Sequence, residues 1–262
     1  MKKHETIEFE LKDGIGTVWF NRPDKHNALN DVMISEVIDC FEEINKMPEV
    51  RIAVVKGRGP SFCAGADLNY MKGIAQFGYE QNYQDSLRLA KCFNVIYTCN
   101  KPTIAVVHGA AIGGANGILA ACDFVYCDDE TKFAFSEVKL GIAPATISPY
   151  VTKRVGEYGS RDLMLTGRRF TGKEAEWYRL VNKSVPAAEL EEYVTKMIGV
   201  LMTSGPDAMA ACKKLIFDIS NKLSFDESID YTARLIAELR ASKEGQEGMA
   251  SFLEKRKPNW VK

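Results

Sequence analysis

The chain has 262 residues, 46% of them hydrophobic and 26% charged, with a formal net charge of −1. That length suits one large domain, or a core with a smaller appendage, and the apolar content can bury a full core without disulfide or metal staples. A near-neutral chain without a polybasic block has no field to attract nucleic acid or an anionic membrane surface, and the densest basic cluster, Lys255-Arg-Lys257, reads as a solvated end.

Thr6–Leu11 and Gly16–Phe20 read as two strands joined by a hairpin turn at Lys12-Asp-Gly14. From Asp31 to Met47, Ile34, Val37, Phe41 and Ile44 recur at spacings of three and four, which predicts a helix with one apolar face. A strand at Ile52–Val55 and a long helix at Tyr79–Cys99, ending before Pro102, come next. Thr103–Val107 predicts a strand, followed by a glycine turn, a helix reaching Cys122, and strands near Phe124–Cys127 and Lys132–Phe135. Strands separated by helices and joined by glycine turns point to a layered βαβ-type core. Thr171-x-x-Glu174 and Ser224-x-x-Glu227 are capping boxes that each start a helix. After Pro186 the strand signal stops, and helices are expected at Ala188–Thr203, Pro206–Lys222, Phe225–Ala241 and Lys243–Lys255. The division expected is therefore a core over 1–186 and a helical region over 187–262, the latter with apolar faces that need a core or a neighbouring subunit to cover them.

The seven cysteines include no C-x-x-C pair and sit mostly in apolar segments, as reduced buried thiols do. Met1-Lys-Lys-His-Glu-Thr6 lacks the apolar stretch of a signal peptide, and no apolar run reaches the 18 residues of a membrane span. A soluble cytoplasmic protein is expected.

Three segments carry chemistry. The apolar run Ile104–His108 leads into Gly109-Ala-Ala-Ile-Gly113-Gly114-Ala115-Asn116-Gly117, a strand feeding a glycine-rich turn that opens a helix. Such a turn aims bare backbone N–H groups at developing negative charge. Phe62-Cys-Ala-Gly-Ala-Asp-Leu68 is a second small-residue turn. Glu137, between apolar Phe133-Ala-Phe135 and Val138, supplies a carboxylate able to move a proton beside that charge, and its flanks favour burial and a raised pKa. Two donor turns and one acid suggest an enzyme that stabilises an oxyanion. Asp67 reads equally as a fixing residue for the first turn and as the cap of the following helix. Tyr70 and Met71 read equally as walls of a pocket and as core. Asn116 orients a water or satisfies backbone at the helix start. Cys63 has no base partner, Asp123 reads as a structural acid, and His108 ends a core strand. Three histidines in all, His4, His26 and His108, support neither a Ser-His-Asp triad nor a metal site.

Taken together, Asn21-Arg-Pro-Asp-Lys-His-Asn-Ala-Leu29, Phe62–Leu68, Lys101-Pro-Thr103, His108–Asp123, Glu137-x-x-x-Gly141 and Leu165-Thr-Gly167 resemble the enoyl-CoA hydratase/isomerase (crotonase) superfamily in order and spacing. Gly141-Ile-Ala-Pro-Ala-Thr-Ile-Ser-Pro149, Ser242-x-Glu-Gly-Gln-Glu-Gly248 and Phe252-Leu-Glu-Lys-Arg256 resemble its methylglutaconyl-CoA and carboxygeranoyl-CoA hydratase branch. The resemblance implies an α/β (α+β) fold with a spiral ββα core and a C-terminal helical region, assembled as a homotrimer or homohexamer. It implies an acyl-CoA substrate held by the N–H groups of Ala66 and Gly114, with Gly113 in the same turn and Glu137 as general acid/base. It also places coenzyme A along Lys25, His26 and Ala28 and along Ala64, Gly65, Asp67 and Leu68, with Phe252 and Lys255 reaching a neighbour's coenzyme. No cofactor is implied beyond coenzyme A as the thioester carrier, and no metal. One departure stands out. The first of the two glutamates many hydratases use falls at Gly117, where the missing side chain leaves room for a branched or carboxylated acyl group. The leading expectation is an enoyl-CoA hydratase acting on 3-methylglutaconyl-CoA or another branched thioester. The alternatives are a 3,2-enoyl-CoA isomerase using the same glutamate, a non-catalytic acyl-CoA-binding protein, and a thioesterase, for which no nucleophile stands out.

Overall fold

Lys12 and Ile15 pair directly across a two-residue turn, with Asp13 at φ 51° and Gly14 at φ 81°, the left-handed pair that matches the twist of a hairpin. The computed structural model describes residues 4–261; residues 1–3 and 262, which the expected domain bounds include, lie outside the described residues. The hairpin strands are β1 (Ile7–Lys12) and β2 (Ile15–Phe20). Helix α1 (Asp31–Ile44) starts where the Asn30 side chain accepts from the Met33 N–H at 2.9 Å, and it buries Met33, Ile34, Val37, Ile38, Phe41 and Ile44. Strand β3 (Ile52–Gly57), helices α2 (Leu68–Ile74) and α3 (Tyr79–Tyr97), and strands β4 (Thr103–Val107) and β5 (Ala110–Ile112) follow. Then come α4 (Ala115–Ala121), β6 (Phe124–Asp128), β7 (Lys132–Ala134), α5 (Ser148–Thr166), β8 (Arg169–Phe170), α6 (Gly172–Trp177) and β9 (Lys183–Val185). The remaining helices are α7 (Leu190–Met202), α8 (Pro206–Asn221), α9 (Phe225–Ala241) and α10 (Lys243–Leu253).

The strands form a six-stranded sheet in the order β1-β2-β3-β4-β6-β9 and a three-stranded sheet in the order β5-β7-β8. Within the large sheet every pairing after the hairpin is parallel. All five residues of β4 are buried, as expected of a parallel strand covered on both faces. The fold is α/β with a C-terminal helical region.

Both expected capping boxes form, at Thr171 with Glu174 and at Ser224 with Glu227. Sequence periodicity did not reveal α5, because Pro149 stands at its start and Gly156 (φ 70°) breaks its helical path. Strands β5, β8 and β9 are two or three residues long, too short for an alternation to register.

The chain divides into two compact units, residues 4–99 with 103–194 and residues 100–102 with 195–261. The first holds both sheets and a core in which Phe20, Phe41, Phe62, Phe93, Phe133, Phe135 and Phe170 are fully buried. Asp123 ties β4 to β6 by accepting from Thr103 N at 2.7 Å and Thr103 Oγ1 at 2.9 Å, the structural role expected of it. In the second unit, Glu244 of α10 caps the start of α8 by accepting from Asp207 N at 3.0 Å and Ala208 N at 2.8 Å. Asp218 of α8 bonds Lys214, Tyr231 Oη at 2.7 Å and Lys222 at 3.1 Å. No helix among the described residues is long and apolar enough to cross a membrane.

Candidate active site

Leu29 joins the two small-residue turns. Its N–H donates to Gly65 O at 2.7 Å and its carbonyl accepts from Asp67 N at 2.8 Å, so Ala66 is held between two bonds that leave its own N–H unused. The Leu29 side chain reaches the other turn: its Cδ1 lies 3.2 Å from the point where a β-carbon on Gly114 would stand. Cys63 stitches the turns further upstream, donating from N to Ala110 O at 3.0 Å and accepting at O from Ile112 N at 3.1 Å. Side chains would force the turns apart, since a β-carbon at Gly65 would lie 3.0 Å from Ile112 O, and Gly65 sits at φ +95°. Gly113 takes φ +54° and donates to Ala134 O at 2.9 Å, which leaves Gly114 at the opening of α4. Among the described residues neither Ala66 N–H nor Gly114 N–H donates to an acceptor. Ala66 is exposed and Gly114 half-buried, so a ligand can reach both.

Glu137 stands beside this pair on a single 3-10 turn, Ser136–Leu140, which ends at Gly141 with φ 75°. Its Oε1 is 3.3 Å from the β-carbon position of Gly113. Its Oε2 is buried with no hydrogen-bond partner among the described residues. Burial pushes the carboxyl above its ordinary value, and only its own backbone N–H pulls the other way. The turn is braced from beneath. Phe133 and Ala134 pair with Phe170 and Arg169, and Phe170 stacks on Phe133 and Phe135 at centroid distances of 5.5 and 6.0 Å. A β-carbon at Gly167 would meet Val138 Cγ2 at 2.9 Å, so the Leu165-Thr-Gly167 segment packs directly on the turn.

Asp67 is the cap of the helix that follows the first turn, and it is also paired with an arginine. It caps α2 by accepting from Asn69 N at 2.8 Å and Tyr70 N at 3.3 Å, and it pairs with the Arg22 guanidinium at 2.8 Å. Burial alone would raise its carboxyl, but Arg22 and the two capping N–H groups hold it below the usual range. Arg22 also donates to Ala28 O, and buried Asn27 binds Arg22 N, Arg58 O and Ser61 O at 2.8 Å each. Arg22 and Asn27 stand inside the Asn21–Leu29 motif but drew no role from sequence, because the Asp67 carboxylate and the backbone atoms they bind are brought close only by folding. Lys25 and His26 are exposed; the His26 ring meets Ser61 Oγ at 3.1 Å and its carbonyl accepts from Ala64 N at 3.0 Å. Ala28 is buried and Leu68 exposed.

Asn116 satisfies backbone. Its amide donates to Ala111 O, Gly113 O and Ala134 O at 3.3, 3.2 and 2.9 Å, while its Oδ1 is buried without a partner among the described residues. The room expected at Gly117 is not there. A β-carbon at Gly117 would lie 2.5 Å from Ile147 Cγ2 and 2.8 Å from Phe93 Cζ, two fully buried side chains. Sequence reading missed Phe93 and Ile147, whose apolar surroundings look like any core position. The Cys63 thiol is pushed up to about 12 by burial, which removes it as a nucleophile. Tyr70 bonds Asp85 Oδ2 at 2.5 Å in a cleft of about 610 Å³ between α2 and α3. Phe252 and Lys255 belong to the second unit; Phe252 is 83% exposed at the end of α10, and Lys255 takes φ 55° just beyond it.

Two N–H donors left unbonded in adjoining turns, with a carboxylate beside the second turn whose Oε2 has no partner among the described residues, have the chemistry to stabilise an enolate-like oxygen and shuttle a proton at the adjacent carbon. Comparison with known proteins gives the family. Residues 10–262 match the family described as enoyl-CoA hydratase/isomerase. The crystal structure of an enoyl-CoA hydratase from Shewanella pealeana superposes with a TM-score of 0.94 at 37% identity, covering 98% of this chain and 96% of that one. A crotonyl-CoA hydratase of Syntrophomonas wolfei is 32% identical over 98% of each chain. A peroxisomal Delta(3,5)-Delta(2,4)-dienoyl-CoA isomerase of Arabidopsis thaliana is 30% identical over 100% of this chain and 99% of its own.

Proposed function

Because the chain belongs to the enoyl-CoA hydratase/isomerase family, we propose that it is a 3,2-enoyl-CoA isomerase in which Glu137 is the one general acid/base. The observation that carries this reading is the α4 side of the site. The Asn116 amide is committed to three backbone carbonyls and Gly117 has no side chain, so α4 offers no second acid or base.

In this reading the thioester oxygen accepts from the N–H groups of Ala66 and Gly114, and α4 adds the positive end of its dipole at Gly114. Glu137 takes a proton from C2 of a 3-enoyl thioester, and the released electron pair delocalises onto the thioester oxygen. The same carboxyl returns the proton to C4, the double bond closes between C2 and C3, and Glu137 is ionised again. Atoms balance without water or a co-reactant. A desolvated carboxylate suits the first step because the proton on C2 is weakly acidic. Coenzyme A enters as the substrate's carrier, along Lys25, His26, Ala28 and Ala64–Leu68, and no cofactor takes part.

We assign the acyl tail to the cleft lined by Tyr70, Ile74, Phe77, Gln81 and Arg88, whose first wall residue, Tyr70, stands on the helix that Asp67 caps. Asp31, Glu80 and Asp85 also line it, and Arg88 is already paired with Asp85 at 2.8 Å. With Asp85 and Arg88 offsetting each other, the carboxylates of Asp31 and Glu80 remain and favour an acyl group without a carboxylate of its own, which weighs against 3-methylglutaconyl-CoA.

Hydration is the second reading. It is favoured by the buried, unpartnered Asn116 Oδ1, to which a water could donate, and by the activity named for the Syntrophomonas relative. Turnover of crotonyl-, 3-hexenoyl- and 3-methylglutaconyl-CoA in H₂¹⁸O separates the two. An unlabelled 2-enoyl product from 3-hexenoyl-CoA supports isomerisation, whereas solvent label in a 3-hydroxyacyl product establishes hydration.

Assembly and location complete the proposal. Phe225, Ile229 and Ile236 on α9 and Phe252 and Leu253 on α10 are exposed, and burying them in a homotrimer or homohexamer would bring Phe252 and Lys255 to a neighbour's coenzyme. Light scattering gives the stoichiometry; a monomer would remove that role. Six of seven cysteines are buried and no disulfide forms among the described residues, which fits a cytoplasmic protein.

A further inference from the structure

We infer that Phe93 and Ile147 are the residues that restrict this site to proton transfer, by occupying the volume from which a second acid or base would act. The inference rests on Glu137 being the acid/base of an isomerase. Gly117 lies in the first turn of α4, its N–H bonded to the Gly114 carbonyl at 3.0 Å, and Gly113, just before Gly114, abuts the Glu137 carboxylate. A side chain leaving position 117 is therefore placed to serve the same substrate from a different direction. That exit is shut. The β-carbon position of Gly117 lies 2.5 Å from Ile147 Cγ2 and 2.8 and 2.9 Å from Phe93 Cζ and Cε1, closer than real β-carbons approach non-bonded atoms.

The wall has little freedom to give way. Phe93 packs edge-on against Tyr150 at 6.0 Å, Tyr150 does the same with Tyr97 at 5.2 Å, and Cys92, Phe93 and Ile96 are fully buried along α3. Ile147 is fully buried immediately before α5. Close-packed interiors of this kind do not shift by an ångström to admit a larger residue without strain. Gly117 is thus the small partner of a large–small packing pair, and the identity of residue 93 decides what residue 117 is able to be.

The test uses the full-length protein, crotonyl-CoA in H₂¹⁸O, mass analysis of the product, and thermal unfolding of each variant. Gly117→Glu alone should lower Tm by several degrees and add no label over wild type. Phe93→Ala/Gly117→Glu and Ile147→Ala/Gly117→Glu should unfold at a higher temperature than Gly117→Glu, because the new side chain then has room. At least one of them should incorporate ¹⁸O into 3-hydroxybutyryl-CoA at 10-fold or more the wild-type rate. Three results overturn the inference: a single Gly117→Glu variant that hydrates as fast as the doubles, doubles no more stable than Gly117→Glu, or folded doubles that gain no label. Labelling by the wild type itself would instead overturn the isomerase reading, independently of any variant.

Discussion

The Oε1 atom of Glu137 lies 3.3 Å from where Gly113 would carry a β-carbon, so the carboxylate and the donor turn are in van der Waals register. Gly113→Ala should disturb both at once. An alanine at φ +54° costs about 1–2 kcal/mol of backbone strain, and its methyl presses on the carboxylate. The expected result is a folded protein with lowered Tm, whose kcat falls by more than its acyl-CoA affinity. A wild-type kcat would show that the carboxylate position is not set by this contact.

Glu137→Gln keeps the shape and removes the base. Loss of a positioned acid/base typically lowers turnover by about 10²–10⁴-fold, and acyl-CoA binding by calorimetry should persist because Ala66 and Gly114 are untouched. Near-normal turnover would remove Glu137 from the mechanism.

The same residue sets a pH dependence with a definite sign. Its carboxyl in the folded protein sits above the unfolded value of 4.5, because burial disfavours the charge. The folded state therefore holds the proton more tightly, and the stability this contributes is present below the unfolded pKa and lost as pH rises through the folded one. Glu137→Gln should raise Tm relative to wild type at about pH 7 and much less at about pH 4. The acid limb of kcat/KM should fall at a pH above the ordinary glutamate range and vanish in Glu137→Gln. A Tm difference that is constant with pH would contradict the burial of an ionised carboxylate.

Much of this site was legible in the residues themselves. Gly113-Gly114 and Ala64-Gly-Ala66 announce donor turns because only small residues let backbone N–H groups be reached, and Glu137 between Phe135 and Val138 announces a desolvated acid. What escaped depends on residues distant in sequence. Nothing in Cys92-Phe-Asn94 or Thr146-Ile-Ser148 says that Phe93 and Ile147 meet above Gly117. The absence of a side chain at 117 looked like free volume, and in the fold it is the complement of two large neighbours. Asp67 shows the opposite case. Its cap was readable locally, whereas its partner Arg22 is 45 residues away and is brought close by the Leu29–Ala66 bridge.

The Arg22–Asp67 pair gives a prediction that separates its two functions. Asp67→Asn retains an oxygen to cap α2, since asparagine caps as well as aspartate does, but it removes the charge opposite Arg22. Both side chains of the pair are largely buried, at 17% and 9% exposure, and removing one partner of such a pair costs about 3–5 kcal/mol. Asp67→Asn should therefore approach Asp67→Ala in lost stability, with the cap accounting for only about 1 kcal/mol of the difference. The Asp67 carboxyl lies below its unfolded value, so its contribution is present at neutral pH and is lost as pH falls through the acid range. The wild-type advantage over Asp67→Asn in denaturant midpoint should shrink on acidification. If the two variants instead differ by most of the total loss, the cap rather than the ion pair holds the Ala66 turn in place.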